Sequence, residues 1–317
     1  MVYFKDLEPR NVLILAAAMA FVSVSGCTTT TGPTAGAPSS HTPQNYESLT
    51  STASTTSTLG GSAILARVDI ATDSLLGATA VATTGSTNHS TGRIALNDGT
   101  YLFIDADGPD AFGHMADGHG ATGELGTETF ITDLGTYDYV TPYRVSYISG
   151  GERIVSVGVA GMITASSDMP IAGSASYSGA AEVQLLNNDS ANYANDLYLD
   201  NGISAVSVDF AAGTADVTLG SFAVIADGIG NAITAATASF DELQGTGLLI
   251  SGSHFTGGSW VTVSQGVVVS VVGAGETATS NGSFFGYDPS ISAPDEVGGV
   301  VFIDGGTATV FGVYLAD

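Results

Sequence analysis

The densest set of candidate ligands is Asp105-Ala106-Asp107-Gly108-Pro109-Asp110, followed by Gly113-His114 and Asp117-Gly118-His119. Three close carboxylates on a Gly/Pro turn can hold Ca2+, a hard cation that takes about six to eight oxygens. His114 and His119 can bind a transition metal or reach haem iron. The spacing fits no EF-hand loop, and Asp-Gly clusters also form ordinary solvated turns. Asp105, Asp107, Asp110, His114 and His119 therefore stand as a candidate Ca2+ or haem site beside that plainer reading. Further along, Trp260, the only tryptophan, and Phe255 border the Gly/Ser-rich stretch from Gly252 to Ser259. An exposed Trp beside mobile glycines would anchor a partner, because aromatic residues are enriched at interface hot spots. Facing inward, the same ring would close a core. His254, between Ser253 and Phe255, reads as a strand residue. There is no G-x-S-x-G elbow, no H-E-x-x-H and no Gly-rich loop ending in Lys, and Lys5 is the only lysine. The chain does not read as an enzyme.

The single cysteine has its own chemistry. Lys5 and Arg10 precede the apolar run Val12 to Val24, which is short for a bilayer span of about 20 residues and suits a secretory h-region. Val24-Ser25-Gly26-Cys27 resembles a bacterial lipobox, in which the chain is cut before Cys27 and the thiol is acylated. The plainer alternative is a stray Cys behind an ordinary signal peptide. Several acyl chains on one residue anchor firmly, each buried CH2 contributing about 0.8 kcal/mol. Residues 1–26 are expected to be a lipoprotein signal peptide. Residues 27–61, rich in Thr, Ser, Pro and Gly, are expected to be a flexible tether that cannot bury enough surface to offset its ordering entropy. Thr28, rather than Asp, after the cysteine points to the outer membrane. No second cysteine exists for a disulfide, so stability has to come from packing and backbone pairing.

The elements that position these groups follow from composition and alternation. The 317 residues carry 44% hydrophobic side chains but only 12% charged ones, against a usual value of about 25%. Six Lys plus Arg face 31 Asp plus Glu, a net charge of -25. Without basic side chains to replace counterions, nucleic-acid binding is excluded, as is a basic patch on anionic lipid. From Ile154 to Asp317 there is no Lys or Arg against 16 Asp plus Glu.

Short alternating runs broken by Gly, Asn and Asp point to antiparallel sheet throughout. Asn97-Asp98-Gly99-Thr100 predicts a hairpin between residues 93–96 and 101–104, and Gly150-Gly151 predicts another between 143–147 and 154–157. Val206, Val208 and Phe210 fall on one face, Ser207 and Asp209 on the other. Ala211-Ala212-Gly213 then turns the chain, and Val217 and Leu219 resume the apolar face. The expected organisation is a small antiparallel β module over 62–165 and a closed, eight-stranded β-barrel over 168–317. Closure removes adhesive sheet edges. A transmembrane barrel alternates too, but such barrels usually end in an aromatic residue, whereas this sequence ends Leu315-Ala316-Asp317.

Four segments of the second half resemble the β-barrel domain of transferrin-binding protein B and its single-barrel relatives. They are Met169 to Gly179, Val206 to Thr214, Gly282 to Gly286, and Pro294 to Val300 with Phe311-Gly312. The two-lobed receptor repeats its unit twice, and this chain has room for one. The glycines of these motifs (Gly173, Gly179, Gly213, Gly286) are expected at turns, bulges and close approaches, and Tyr177, Phe210, Phe285 and Phe311 inside the barrel. The resemblance implies a non-catalytic surface or periplasmic lipoprotein that binds a protein or solute. Iron or haem acquisition is the first expectation, with an iron-carrier protein, haem or a basic protein as partner. The alternatives are a structural or adhesive outer-membrane lipoprotein without a small ligand, and a haemophore-like haem binder.

Overall fold

The computed structural model describes residues 58–69, 74–88, 93–96, 100–103, 115–119, 127–128, 137–149, 151–187, 196–227, 230–288 and 292–317. Every named element is a β-strand. The first eight are β1 (Thr58–Asp69), β2 (Ser74–Asn88), β3 (Arg93–Leu96), β4 (Thr100–Phe103), β5 (Met115–His119), β6 (Thr127–Glu128), β7 (Val140–Ser149) and β8 (Glu152–Ile163). The next five are β9 (Ser174–Asn187), β10 (Leu197–Asp209), β11 (Thr214–Gly220), β12 (Val224–Asp227) and β13 (Glu242–Ser251). The last six are β14 (His254–Thr256), β15 (Ser259–Ser264), β16 (Val267–Val269), β17 (Thr277–Phe285), β18 (Glu296–Asp304) and β19 (Ala308–Ala316).

The first module is built on β2, β1, β8 and β7, paired antiparallel in that order, with β3, β4 and β5 continuing beyond β2 and β6 lying beside β7. Both predicted hairpins are there: β3 pairs β4, and β7 pairs β8 from Val140↔Gly161 to Ser149↔Glu152. β1 starts at Thr58, so four residues assigned to the tether belong to a strand. In sequence Leu59-Gly60-Gly61-Ser62 looks flexible. In the sheet the two glycines let neighbouring backbones close in, since a Cβ on Gly61 would lie 1.8 Å from the Val159 carbonyl oxygen.

The second half closes on itself. Antiparallel pairing runs β9–β10–β11–β13–β14–β17–β18–β19 and returns to β9, an eight-stranded barrel. The closing seam spans Ala308↔Asn187 to Ala316↔Gly179, so the last strand lies beside the first. Strands β12, β15 and β16 are short additions to the ends of β10 and β13. At the β10–β11 turn Gly213 has φ +69°, a left-handed conformation that a side chain would strain.

Parity along the strands places the cores. Val206, Val208, Val217 and Leu219 face inward, with Tyr177, Phe210, Phe240, Phe284 and Tyr314, in one packed interior. Ser176, Ser178, Ser207, Asp209 and Asp216 lie exposed on the outer wall of β9, β10 and β11. A membrane barrel needs an apolar outer band and usually a polar lumen; this wall is the reverse and faces water. On the opposite side, β18 is buried on both faces. Val297, Val301 and Ile303 enter the interior, while Val300 and Phe302 join Phe285, Val313 and Leu315 in a second core against Ile64, Tyr137, Val140 and Val159 of the first module. Two expectations change here. Phe285 and Phe311 do not fill the barrel; they are on its outer face, under the module, because Phe284 and Val310 take the inward parity.

Candidate functional site

Of the predicted ligand set, Cys27, Asp105, Asp107, Asp110 and His114 lie outside the described residues. His119 ends β5, opposite Thr100 of β4. The structure therefore extends a strand into the Asp117-Gly118-His119 part of the proposed loop. Among the described residues no group of three or more His, Cys, Asp or Glu is placed to hold a metal ion.

Phe255 and Trp260 are core side chains, with relative exposures of 0% and 4%, and the partner-anchor reading of both is corrected accordingly. The cause is a cross-strand pairing. Trp260 sits opposite Gly245 and Phe255 opposite Gly282. Each ring lies across the backbone of its glycine, where a Cβ would come within 2.6 Å of the indole and 2.2 Å of the phenyl ring. An aromatic ring covering a strand glycine restores the burial that the glycine cannot supply. Trp260 also donates its Nε1–H to the Gly257 carbonyl at 3.2 Å, and Phe255 packs on Phe284 with centroids 5.2 Å apart. The interior is filled by side chains, so any partner has to be met from outside.

Two regions of the outside carry chemistry. The first is the rim where β9 ends and β10 begins. Strand register gathers Asp196, Asp227, Asp241, Glu242, Glu276 and Asp304 there, with exposed Val224, Val267 and Val268. Burial raises the Asp196 carboxyl above its ordinary value, although the Asn187 N–H it accepts at 2.7 Å pulls it back. Asp241 accepts the Gln265 N–H at 3.1 Å, and Glu276 accepts the Ser270 hydroxyl at 3.3 Å.

The second region is the seam between module and barrel. Ser62 of β1 donates to the Asn281 side-chain carbonyl at 3.2 Å, and its hydroxyl lies 3.0 Å from that of Ser283. Ser283 is in turn 2.9 Å from His254 Nδ1. Burial keeps the His254 imidazole below its ordinary pKa, which favours the neutral ring as a partner for these hydroxyls. Further along the seam, residues 137–139 pack against the outer face of the barrel where β17 ends and β18 begins. Glu296, 3% exposed, accepts the N–H of Asp138 at 2.6 Å and of Tyr139 at 2.9 Å. Sequence reading missed this carboxylate, because Asp295-Glu296 looks like one more acidic turn. The available signal was a Glu at the first position of a strand that is otherwise apolar.

Three solved structures give a scale for the likeness. Intact transferrin-binding protein B, with N and C lobes, aligns at a TM-score of 0.41 and 15% identity, covering 80% of this chain and 46% of that one. The isotype 1 transferrin-binding protein B of serogroup B Neisseria meningitidis aligns at 0.40 and 15%, covering 80% and 43%. A protein described as a surface lipoprotein aligns at 0.37 and 13%, covering 80% and 98%. The chain thus spans less than half the length of the first two. No protein family and no curated protein matches it by sequence. The closed barrel itself is read from the strand pairings.

Proposed function

We propose that this protein is a non-catalytic binding lipoprotein of the bacterial cell envelope, held at the outer membrane by an acylated Cys27 and recruiting a partner with a basic face. One observation carries the reading. The barrel interior is filled, while residues 154–317 contain 16 Asp plus Glu and no Lys or Arg, so recognition falls to an anionic exterior. Such a surface steers a basic partner at low ionic strength more than it adds affinity. The motif series from Met169 to Phe311 supports an iron-carrier or haem protein as the first partner to try.

The test is capture of a transferrin and of a haem protein by the full-length lipoprotein, at low salt and at about 0.5 M salt, where the Debye length shrinks to a few ångström. Capture that salt weakens supports the reading, and binding indifferent to salt removes its electrostatic part. Labelled palmitate should enter the wild type and not Cys27→Ala. The Asp105, Asp107, Asp110, His114 and His119 set belongs to the same proposal as a Ca2+ or haem site. Titration with Ca2+ or haemin giving neither heat nor a Soret shift ends that part.

A further inference from the structure

Closure pairs the eight barrel strands with one another, but the β15–β16 hairpin stands beyond the barrel with one side open. β12, another short addition, is backed by residues 231–233, where the Ile233 N–H donates to the Ile225 carbonyl at 2.8 Å. β16 pairs β15 alone among the described strands. Gln265 and Gly266, at φ +49° and +79°, make a two-residue turn, so Ser264 and Val267 exchange the first main-chain bonds of the hairpin. One step on, Val263 and Val268 form a pair that is not hydrogen-bonded. Val263 accordingly turns its carbonyl to the β13 side, where it accepts the Asp241 N–H at 2.9 Å. By the same alternation the N–H and C=O of Val268 point away from β15, where they bond nothing among the described residues. Val267 and Val268 are also 64% and 62% exposed, the one adjacent pair among the exposed large apolar side chains of the described residues. Edge strands are usually guarded by Lys, Pro, a bulge or shortness, and Val267-Val268-Val269 has shortness alone.

We propose that the open edge of β16 takes an extended, basic segment of a partner protein as an added strand, bonded by the Val268 main chain and held by the Val267 and Val268 side chains. Charge selects the occupant. Asp241 lies at the hairpin turn, where it accepts the Gln265 N–H, and Glu276 reaches Ser270, the residue that follows β16. Asp304 sits opposite Thr277, one residue beyond Glu276. No Lys or Arg occurs anywhere from residue 154 to 317 to offset them. A second copy of this chain would bring these carboxylates against their equals, whereas a segment with Lys or Arg meets opposite charge. Main-chain bonds on a sheet edge then supply attachment, and the valines supply contact area. The inference rests on the basic-partner reading above and adds where and how that partner attaches.

A short synthetic peptide of alternating lysine and valine tests it, titrated into the full-length chain at low salt. The control is the same peptide N-methylated along its backbone, which keeps the charge and loses the donors. The parent peptide should bind about tenfold more tightly than the control, the worth of one or two main-chain bonds. Val268→Pro removes the outward N–H at a place where a sheet edge tolerates proline, and Val268→Lys sets a like charge on the edge. Each should lose the tenfold preference, and the second keeps the test available if the first does not fold. Equal affinity for the two peptides, or variants that keep the wild-type preference, overturns the edge as the docking site and leaves the anionic exterior standing. Binding of neither peptide removes the basic-partner reading itself. A concentration-dependent dimer of the wild type that Val268→Pro abolishes gives the edge to a second copy and overturns the choice of occupant.

Discussion

Gly245 and Gly282 decide where the two largest aromatic candidates go. Each faces its ring across a strand pair and leaves a slot that a methyl group would fill. Gly282→Ala should therefore destabilise the barrel by about 1–3 kcal/mol through overpacking, and Trp260→Ala by about 3–5 kcal/mol through the cavity left behind. Chemical denaturation checks both. A Trp260→Ala variant that keeps its stability would mean that the indole is not in the core. These pairings were not legible in the sequence, since a Gly–aromatic pair exists only once register is fixed. The glycine and the aromatic content were legible, and they pointed to the right class of fold.

A Glu296 carboxyl raised from 4.5 to about 8 binds a proton in the folded chain that the unfolded chain has lost. Its contribution is complete below about pH 4.5 and drains away as pH rises toward about 8. The carboxyls of Asp196, Asp295 and Asp317 are also raised, chiefly by burial, and act with the same sign. His254 runs the other way: lowered by burial, it subtracts stability as pH falls through its ordinary 6.5. Melting temperature against pH should thus decline on the alkaline side, and Glu296→Gln should make that decline shallower without removing it, leaving the His254 effect on the acid side in place.

Among the elements, β18 shows how far a strand pattern can be read. Glu296-Val297-Gly298-Gly299-Val300-Val301-Phe302-Ile303 has no alternation, which marks a strand buried on both faces. The run says that something covers its outer side, but not what. The cover proves to be β1 and β8 of the first module, through Ile64 and Val159. Phe285 and Phe311 were misplaced for the same reason: with apolar residues on both parities, one-dimensional text cannot choose the inward one. In β10, where polar and apolar residues alternate, parity was readable and the Val206–Val208 face was placed correctly. The two walls of one barrel should accordingly answer differently to the same change. Val300→Asp buries an unpaired carboxylate under the module and should cost several kcal/mol, or force its protonation. Ser207→Asp, on the exposed wall, should stay within about 0.5 kcal/mol. Equal effects would mean that the module does not seal β17, β18 and β19.

At the scale of the whole molecule, charge is the property that sequence conveyed most directly, because it needs no register. A net charge of -25 repels itself in the compact state. Among the described residues the one salt bridge is Arg67–Glu152 at 2.7 Å, with the arginine side chain 59% exposed. A surface pair of that kind contributes about 0–1 kcal/mol, and with six Lys plus Arg against 31 Asp plus Glu there is more repulsion for salt to screen than attraction to weaken. Raising NaCl from about 10 mM to about 300 mM shortens the Debye length from roughly 30 Å to under 10 Å. The melting temperature should therefore rise, by about 2–4 °C for each kcal/mol gained. Partner capture should weaken over the same range, because the field that destabilises the fold is the one that steers a basic face. Stability and binding moving in opposite directions with salt is the signature of a common electrostatic origin. A melting temperature that falls with added NaCl would instead mean that attractive pairs outweigh the excess of carboxylates.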